Sequence, residues 1–402
     1  MSREKFLLLI LAGALFTHIM DFMIMMPLGP QLMRTFDISA GEFSFLVSTY
    51  SFSAFFSGLL SSLVIDRYDR KISFSIVYVG FLIGTLGCSL ADTYELLIIA
   101  RSFTGFFGGV VGALVLSIVS DMIPLERRAE AIGFVMAAFS VASVFGVPFG
   151  LFISARFSWQ APFVFLLAFS LVISLLVFIF LPKLTSHLST DKNVHPLEGI
   201  KRVLGRKNPL YGLVFTAVLM LGHFTIIPFI APYMVGNVGF TEAQLAYIYL
   251  FGGGFTIVTS QIIGKLADKF GRLNIFTLFG ILVLIPVILI TNLPEVPLWV
   301  ALIITSMFFV FANGRMVPST TMVTSIIRPE NRGTFMSLRA SVQQLFSGIA
   351  ALIGGLLVTE IPSTINPEVI AIDNYWHAGI FSIIFSVFTL FVARKLKVAA
   401  GA

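Results

Sequence analysis

The sequence predicts an all-α integral membrane protein of twelve transmembrane helices, arranged as two pseudo-symmetric six-helix bundles. Three observations carry that reading. Of 402 residues, 57% are hydrophobic and only 11% are charged, far less charge than a water-facing surface of this size requires. About twelve apolar stretches reach the roughly 20 residues that cross a bilayer as a helix. A charged hinge, Ser62-Leu-Val-Ile-Asp66-Arg67-Tyr-Asp69-Arg70-Lys71, returns 202 residues later as Gly264-Lys-Leu-Ala-Asp268-Lys269-Phe-Gly271-Arg272, each copy between two apolar runs. A hinge that recurs at the half-length marks a duplicated membrane unit.

The expected spans are 6–28, 43–65, 72–91, 95–122, 129–155, 161–182, 209–235, 243–267, 273–292, 297–324, 333–359 and 373–394. The first is too long, and too polar after Leu15, to be a cleaved signal peptide, and is read as a retained helix. No span alternates like a barrel strand. Lys183–Asn208 is the longest polar stretch, so the expected organisation is a bundle over 1–182, a linker over 183–208 and a second bundle over 209–402. Within that linker, Gly199–Arg206 reads either as a basic interfacial helix or as solvated chain.

Orientation follows from the 26 Lys and Arg residues: 21 fall at the two ends and in the even-to-odd loops, two (Arg34, Arg156) on the opposite side, and three (Arg101, Arg315, Arg339) inside spans. The positive-inside rule then places both termini and the 183–208 linker in the cytoplasm. That topology accounts for the formal charge of +6 and the pI near 9.5, so the expected partner is the lipid bilayer and not nucleic acid. One cysteine, Cys88, excludes an intramolecular disulfide and a cysteine-based metal cluster. No nucleotide-binding loop or metal-ligand cluster is visible, so no cofactor, no metal and no enzymatic activity are expected.

Two further loops repeat: Pro124-Leu-Glu126-Arg127-Arg128 between spans four and five, and Pro329-Glu330-Asn331-Arg332-Gly333 between spans ten and eleven. Together with the hinge they resemble the major facilitator superfamily, whose signature between helices two and three runs Gly-x-x-x-Asp-Arg-x-Gly-Arg-Arg/Lys. Asp66, Arg67, Arg70 and Lys71 match it, while Ser62 and Asp69 stand where the family has glycine; the second copy keeps Gly264 and Gly271 with Asp268 and Arg272. Arg101-Ser-Phe-Thr-Gly105 is similar to the family's helix-four Arg-x-x-x-Gly. Gly146-Val-Pro148-Phe-Gly150 resembles the helix-five signature of proton-driven exporters, with Ala142 in place of one glycine and Val147 interposed. That form resembles the sugar-efflux and drug-efflux branch of bacterial origin. The resemblance spans essentially the whole chain. It implies a secondary transporter of the bacterial inner membrane, a monomer, moving small organic molecules by alternating access with protons as coupling ion. It also implies that Asp66 meets the start of helix eleven near Gly333 and, with Arg70 and Asp121, closes the cytoplasmic side; Asp268 and Arg272 are the second-half counterparts. Independently, Asp66 and Arg70 are four apart and share a helix face.

Ionisable groups inside spans each cost about 2.5–3.5 kcal/mol on insertion scales, so they face a partner or a cavity. Asp21 has His18 three residues before it on the same face. Counted at 1.5 Å per residue, Asp21 and Arg101 lie at similar depth, about 10 Å below the outer surface, so a contact is feasible. Asp21 is the expected protonation site, tuned by Arg101 and His18; a static buried pair is the other reading. In the second half Arg315 lies mid-span beside Asn313, with no deep acidic residue in spans seven to twelve. It serves an anionic substrate, reaches Asp21 in one conformation, or snorkels to the interface. Phe22, Met25, Met26, Tyr50, His223, Phe224, Asn313, Arg315, Gln343 and Gln344 are the candidate substrate contacts. Pro27, Pro228 and Pro232 are expected to kink spans one and seven near their outer ends.

Three functions compete on this sequence: a proton-coupled exporter of drugs, sugars or metabolites; an importer or facilitator of a small, possibly anionic, metabolite on the same fold; and a membrane enzyme or receptor. The helix-five pattern favours the first.

Overall fold

The structure, a computed structural model, describes residues 3–64, 68–185, 204–327, 332–365 and 369–396. Twelve of its helical spans are long and apolar enough to cross a membrane. Contacts divide the chain into two compact units, Met1–Met25 with Thr49–Glu198, and Met26–Ser48 with Gly199–Ala402.

The first unit holds α1 (Arg3–Ile24), the C-terminal part of α3 (Ala40–Val64), α4 (Arg70–Leu90), α5 (Tyr94–Met122), α6 (Leu125–Val141), α7 (Val147–Arg156) and α8 (Ala161–Phe180). Its core is built from Leu11 and Ala14 of α1, Phe74 and Phe81 of α4, and Leu114, Val115 and Ile118 of α5. Lipid is as apolar as leucine, so helices associate here through close packing at small residues. Gly105 and Gly109 of α5 do this against α3: a Cβ at Gly105 would stand 2.7 Å from Tyr50 Cα, and one at Gly109 2.7 Å from Ala54 Cα. The helix-four glycine is therefore a backbone-approach position.

Span five is not one α-helix. Ala142–Gly146 forms a π-turn between α6 and α7, with the Val147 amide donating to the Ala142 carbonyl. Pro148 follows in the first turn of α7, where its missing N–H is tolerated. Asp69, which stands where the family signature has glycine, caps α4: its side chain accepts from the Lys71 amide at 2.7 Å and from the Leu184 amide at 3.4 Å.

The second unit contains α2 (Gly29–Phe36), the N-terminal part of α3, α9 (Lys207–Phe224), α10 (Ile227–Gly236), α11 (Glu242–Phe270), α12 (Arg272–Leu282), α13 (Leu284–Thr291), α14 (Leu298–Thr324), α15 (Arg332–Leu357) and α16 (Tyr375–Ala393). Its core joins Phe215, Leu219, Phe276, Val323 and Phe335. Between α15 and α16 lies an antiparallel hairpin, β1 (Thr359–Pro362) with β2 (Ile370–Asp373), in the register Thr359 opposite Asp373. The sequence reading had loop there.

The proline positions near Pro27 and Pro228 are complete breaks, while Pro232 stays inside the continuous helix α10. Span one stops at Ile24 and resumes as α2, with Pro30 in its first turn; span seven stops at Phe224 and resumes as α10, with Pro228 in its first turn. The chain after each short helix repeats in detail. Asp37 and Gly239, 202 residues apart, both take positive φ (51° and 85°). Each is followed two residues later by a capping box, Ser39 with Glu42 opening α3 and Thr241 with Gln244 opening α11.

Candidate functional site

In the first unit α1, α3 and α5 bring four polar side chains to one buried point. Arg101 Nη1 donates to Asp21 Oδ2 at 2.7 Å, and the two side chains are 1% and 0% exposed. The guanidinium lies over the Tyr50 ring, 4.6 Å from its centroid, a cation–π placement that gains strength when water is excluded. The Tyr50 hydroxyl lies 3.0 Å from His18 Nδ1. Phe22 packs its ring 5.3 Å from that of Tyr50. Gly108 makes the room: a Cβ there would run into the Tyr50 hydroxyl. The pair uses one oxygen and one nitrogen, and Asp21 Oδ1 and Arg101 Nε are buried without a hydrogen-bond partner.

The sequence thus led to Asp21, Arg101 and His18, which the fold gathers, but placed Tyr50 only among substrate contacts. Its position between Arg101 and His18 depends on how α3 crosses α5, which the Gly105-x-x-x-Gly109 spacing alone hints at. Met25 and Met26 are buried in the turn after α1. The helix-five residues act on α1: a Cβ at Gly146 would stand 3.1 Å from Met20 Sδ, and one at Gly150 2.8 Å from Ile24 Cδ1. Both contacts flank Asp21.

At the charged hinge, Arg70 Nε pairs with Asp121 Oδ2 at 3.2 Å. Asp66 lies outside the described residues. Gly333 falls in the first turn of α15, and Asp268 and Arg272 are exposed at the junction of α11 and α12. Among the described residues neither of those two makes an ion pair.

In the second unit Arg315 of α14 meets α9 and α16. Its Nη1 donates to Ser386 Oγ at 2.8 Å and its Nη2 lies 3.3 Å from His223 Nδ1. The His223 ring stacks on Phe308 with centroids 5.9 Å apart and meets Phe224 edge-on. Asn313 turns away and bonds Ser260 of α11. Gln343 is exposed on α15 and Gln344 half-buried.

A third cluster was not anticipated. The short helix α2 packs on α10, with Gly29 against Phe43 and Pro232. Arg34 Nη1 pairs with Glu242 Oε1 at 2.7 Å, Glu360 of β1 accepts from the Ala40 amide at the start of α3, and Ser48 Oγ donates to the Gly348 carbonyl at 2.9 Å. The two capping boxes could have been found as Ser-x-x-Glu and Thr-x-x-Gln; the pairing of Arg34 with the second one could not.

Comparison with known proteins agrees with this architecture. The family model of the Major Facilitator Superfamily matches residues 11–351 and 213–400. An uncharacterised MFS-type transporter of Bacillus subtilis, YwfA, is 26% identical over 71% of this chain and 69% of its own length. Multidrug resistance protein 1 of the same bacterium is 22% identical over 89% of this chain and 91% of its own. Among solved structures, a D-xylose-proton symporter superposes with a TM-score of 0.77 at 17% identity, covering 96% of each chain. A bacterial homologue of the human lysosomal transporter Spinster gives 0.75 at 16% identity, covering 100% of this chain and 99% of that one. At such identities the two structures show the fold alone.

Proposed function

Because the chain belongs to the Major Facilitator Superfamily, and so is a multi-pass membrane transporter and not an enzyme, we propose that it exports small organic molecules in exchange for protons. The observation that carries this reading is the Asp21 carboxylate. It is fully buried, held by Arg101 through Oδ2 alone, and Oδ1 has no partner. A proton taken at Oδ1 leaves the Oδ2 bond to Arg101 in place, so the group changes charge without dismantling its surroundings. Tyr50 and His18 border the pair, the Tyr50 ring against Arg101 and its hydroxyl against His18 Nδ1.

The contacts of Gly146 and Gly150 with Met20 and Ile24 support the assignment of the helix-five motif to coupling, since they set the position of α1 on both sides of Asp21. The resemblance along nearly the whole chain to a protein named for multidrug resistance supports export. In this account the bundles 1–182 and 209–402 are the moving halves, joined by the 183–208 linker, with both termini in the cytoplasm of a bacterial inner-membrane monomer. Asp66, Arg70, Asp121, Asp268, Arg272 and the Gly333 turn form the cytoplasmic gate.

The test is uptake into proteoliposomes with an acidic lumen, screened against dyes, drugs and sugars. Accumulation that follows the pH gradient supports the exporter; equilibration regardless of the gradient replaces it with a facilitator.

A further inference from the structure

The two arginines most deeply buried in apolar helices are treated differently by the fold. Arg101, 1% exposed, has the Asp21 carboxylate. Arg315, 2% exposed, has only neutral company: a hydroxyl on Nη1, an imidazole nitrogen 3.3 Å from Nη2, and no hydrogen-bond partner on its buried Nε. Among the described residues no carboxylate stands within 4 Å of it. A guanidinium does not give up its proton in a protein, and a buried charge without a counter-charge is costly. The site lacks an anion.

The geometry says how an anion would sit. Nε and Nη2 lie on one edge of the guanidinium, the edge that a carboxylate bridges with two parallel hydrogen bonds. Ser386 occupies the other side, at 2.8 Å from Nη1, and fixes the plane of the group. The Nε–Nη2 edge carries only the long contact to His223, a half-buried ring with Phe308 and Phe224 packed around it, and Nε is buried without a hydrogen-bond partner. An arriving carboxylate would displace one neutral acceptor, and the aromatic rings would flank an apolar body attached to it. One cation with one unsatisfied edge suits one carboxylate.

We propose that Arg315, with Ser386 and His223, is an anion-recognition point, and that the transported molecules include organic monocarboxylates with an aromatic or aliphatic body. The word transported rests on the function proposed above; the anion site rests on the Arg315 geometry.

The test uses benzoate as probe and benzamide, of the same shape without the charge, as control. Binding to the purified full-length protein in detergent is read by calorimetry and by the shift in melting midpoint. Benzoate is expected to bind and benzamide not. Arg315→Gln should weaken benzoate binding by about tenfold or more, and Ser386→Ala, which removes the hydroxyl that fixes the guanidinium plane, should weaken it as well. Should Arg315→Gln fail to fold, Ser386→Ala together with the wild-type benzoate–benzamide contrast decides. No benzoate binding in the wild type, equal binding of benzamide, or undiminished binding by Arg315→Gln would each overturn the proposal. Asp21→Asn keeps benzoate binding in this account, so a failure of proton coupling with the benzoate contrast intact removes the exporter reading alone.

Discussion

Asp21 and Arg101 meet end-on, one carboxylate oxygen to one guanidinium nitrogen at 2.7 Å, at a point where both are withdrawn from solvent. A bidentate pair would use both oxygens and lock the charge state. This one leaves Oδ1 buried without a hydrogen-bond partner, and the proposed coupling role rests on that asymmetry.

The two partners should respond differently to removal. Arg101→Ala leaves a buried carboxylate alone and is expected to cost about 3–5 kcal/mol, read as a lower melting midpoint. Asp21→Asn resembles the protonated acid and should fold with a much smaller loss. The double variant Asp21→Asn, Arg101→Ala should recover part of what Arg101→Ala loses; full additivity of the two single losses would show that the pair is not coupled.

Tyr50 contributes a ring to Arg101 and a hydroxyl to His18. Tyr50→Phe keeps the ring and gives up one hydrogen bond, about 1 kcal/mol, so turnover should fall by less than about tenfold. Tyr50→Ala also opens a cavity and removes the cation–π contact. Transport assays that show equal losses for both variants would place the function in the hydroxyl and not the ring.

Glycine tolerance is ordered by what each Cβ would meet. Gly105→Ala strikes the Tyr50 backbone and should destabilise by about 1–3 kcal/mol. Gly150→Ala meets the tip of Ile24, which can move, and should cost less. Gly133→Ala meets nothing within 4 Å and should be neutral. Melting midpoints of the three variants check the order.

The Arg34 cluster should hold its shape weakly. Arg34 is 45% exposed in its pair with Glu242, and such pairs are worth about 0.2–1 kcal/mol. Met33 and Val369 line the same small cavity of about 120 Å³ with Arg34. Cysteines placed there should cross-link, and Arg34→Ala should slow that by no more than about fivefold. Native Cys88 is buried and leaves the assay clean.

What the sequence made legible follows from the range of the interactions involved. The twelve spans are written in local hydropathy, and the breaks in spans one and seven in Pro27 and Pro228. The Asp21–Arg101 contact was reachable because helical rise converts residue number into depth. The partners of Arg315 were not: Ser386 and His223 lie 71 and 92 residues from it along the chain, and only the packing of α9, α14 and α16 joins them. The hairpin 359–373 and the helix α2 were missed because both are short and take their shape from contacts with α3 and α10. The π-turn at Ala142–Gly146 arises from Pro148, visible in sequence, but proline marks a break without naming its kind.

The central claim is that Asp21 exchanges a proton for each cycle of transport. The most direct measurement is proton movement across proteoliposomes, followed with an entrapped pH dye, when a transported compound is added to wild type and to Asp21→Asn. The account predicts a substrate-dependent proton flux in wild type and none in the variant, with substrate binding retained. A flux of equal size in Asp21→Asn, or transport by wild type with no proton movement, would contradict it.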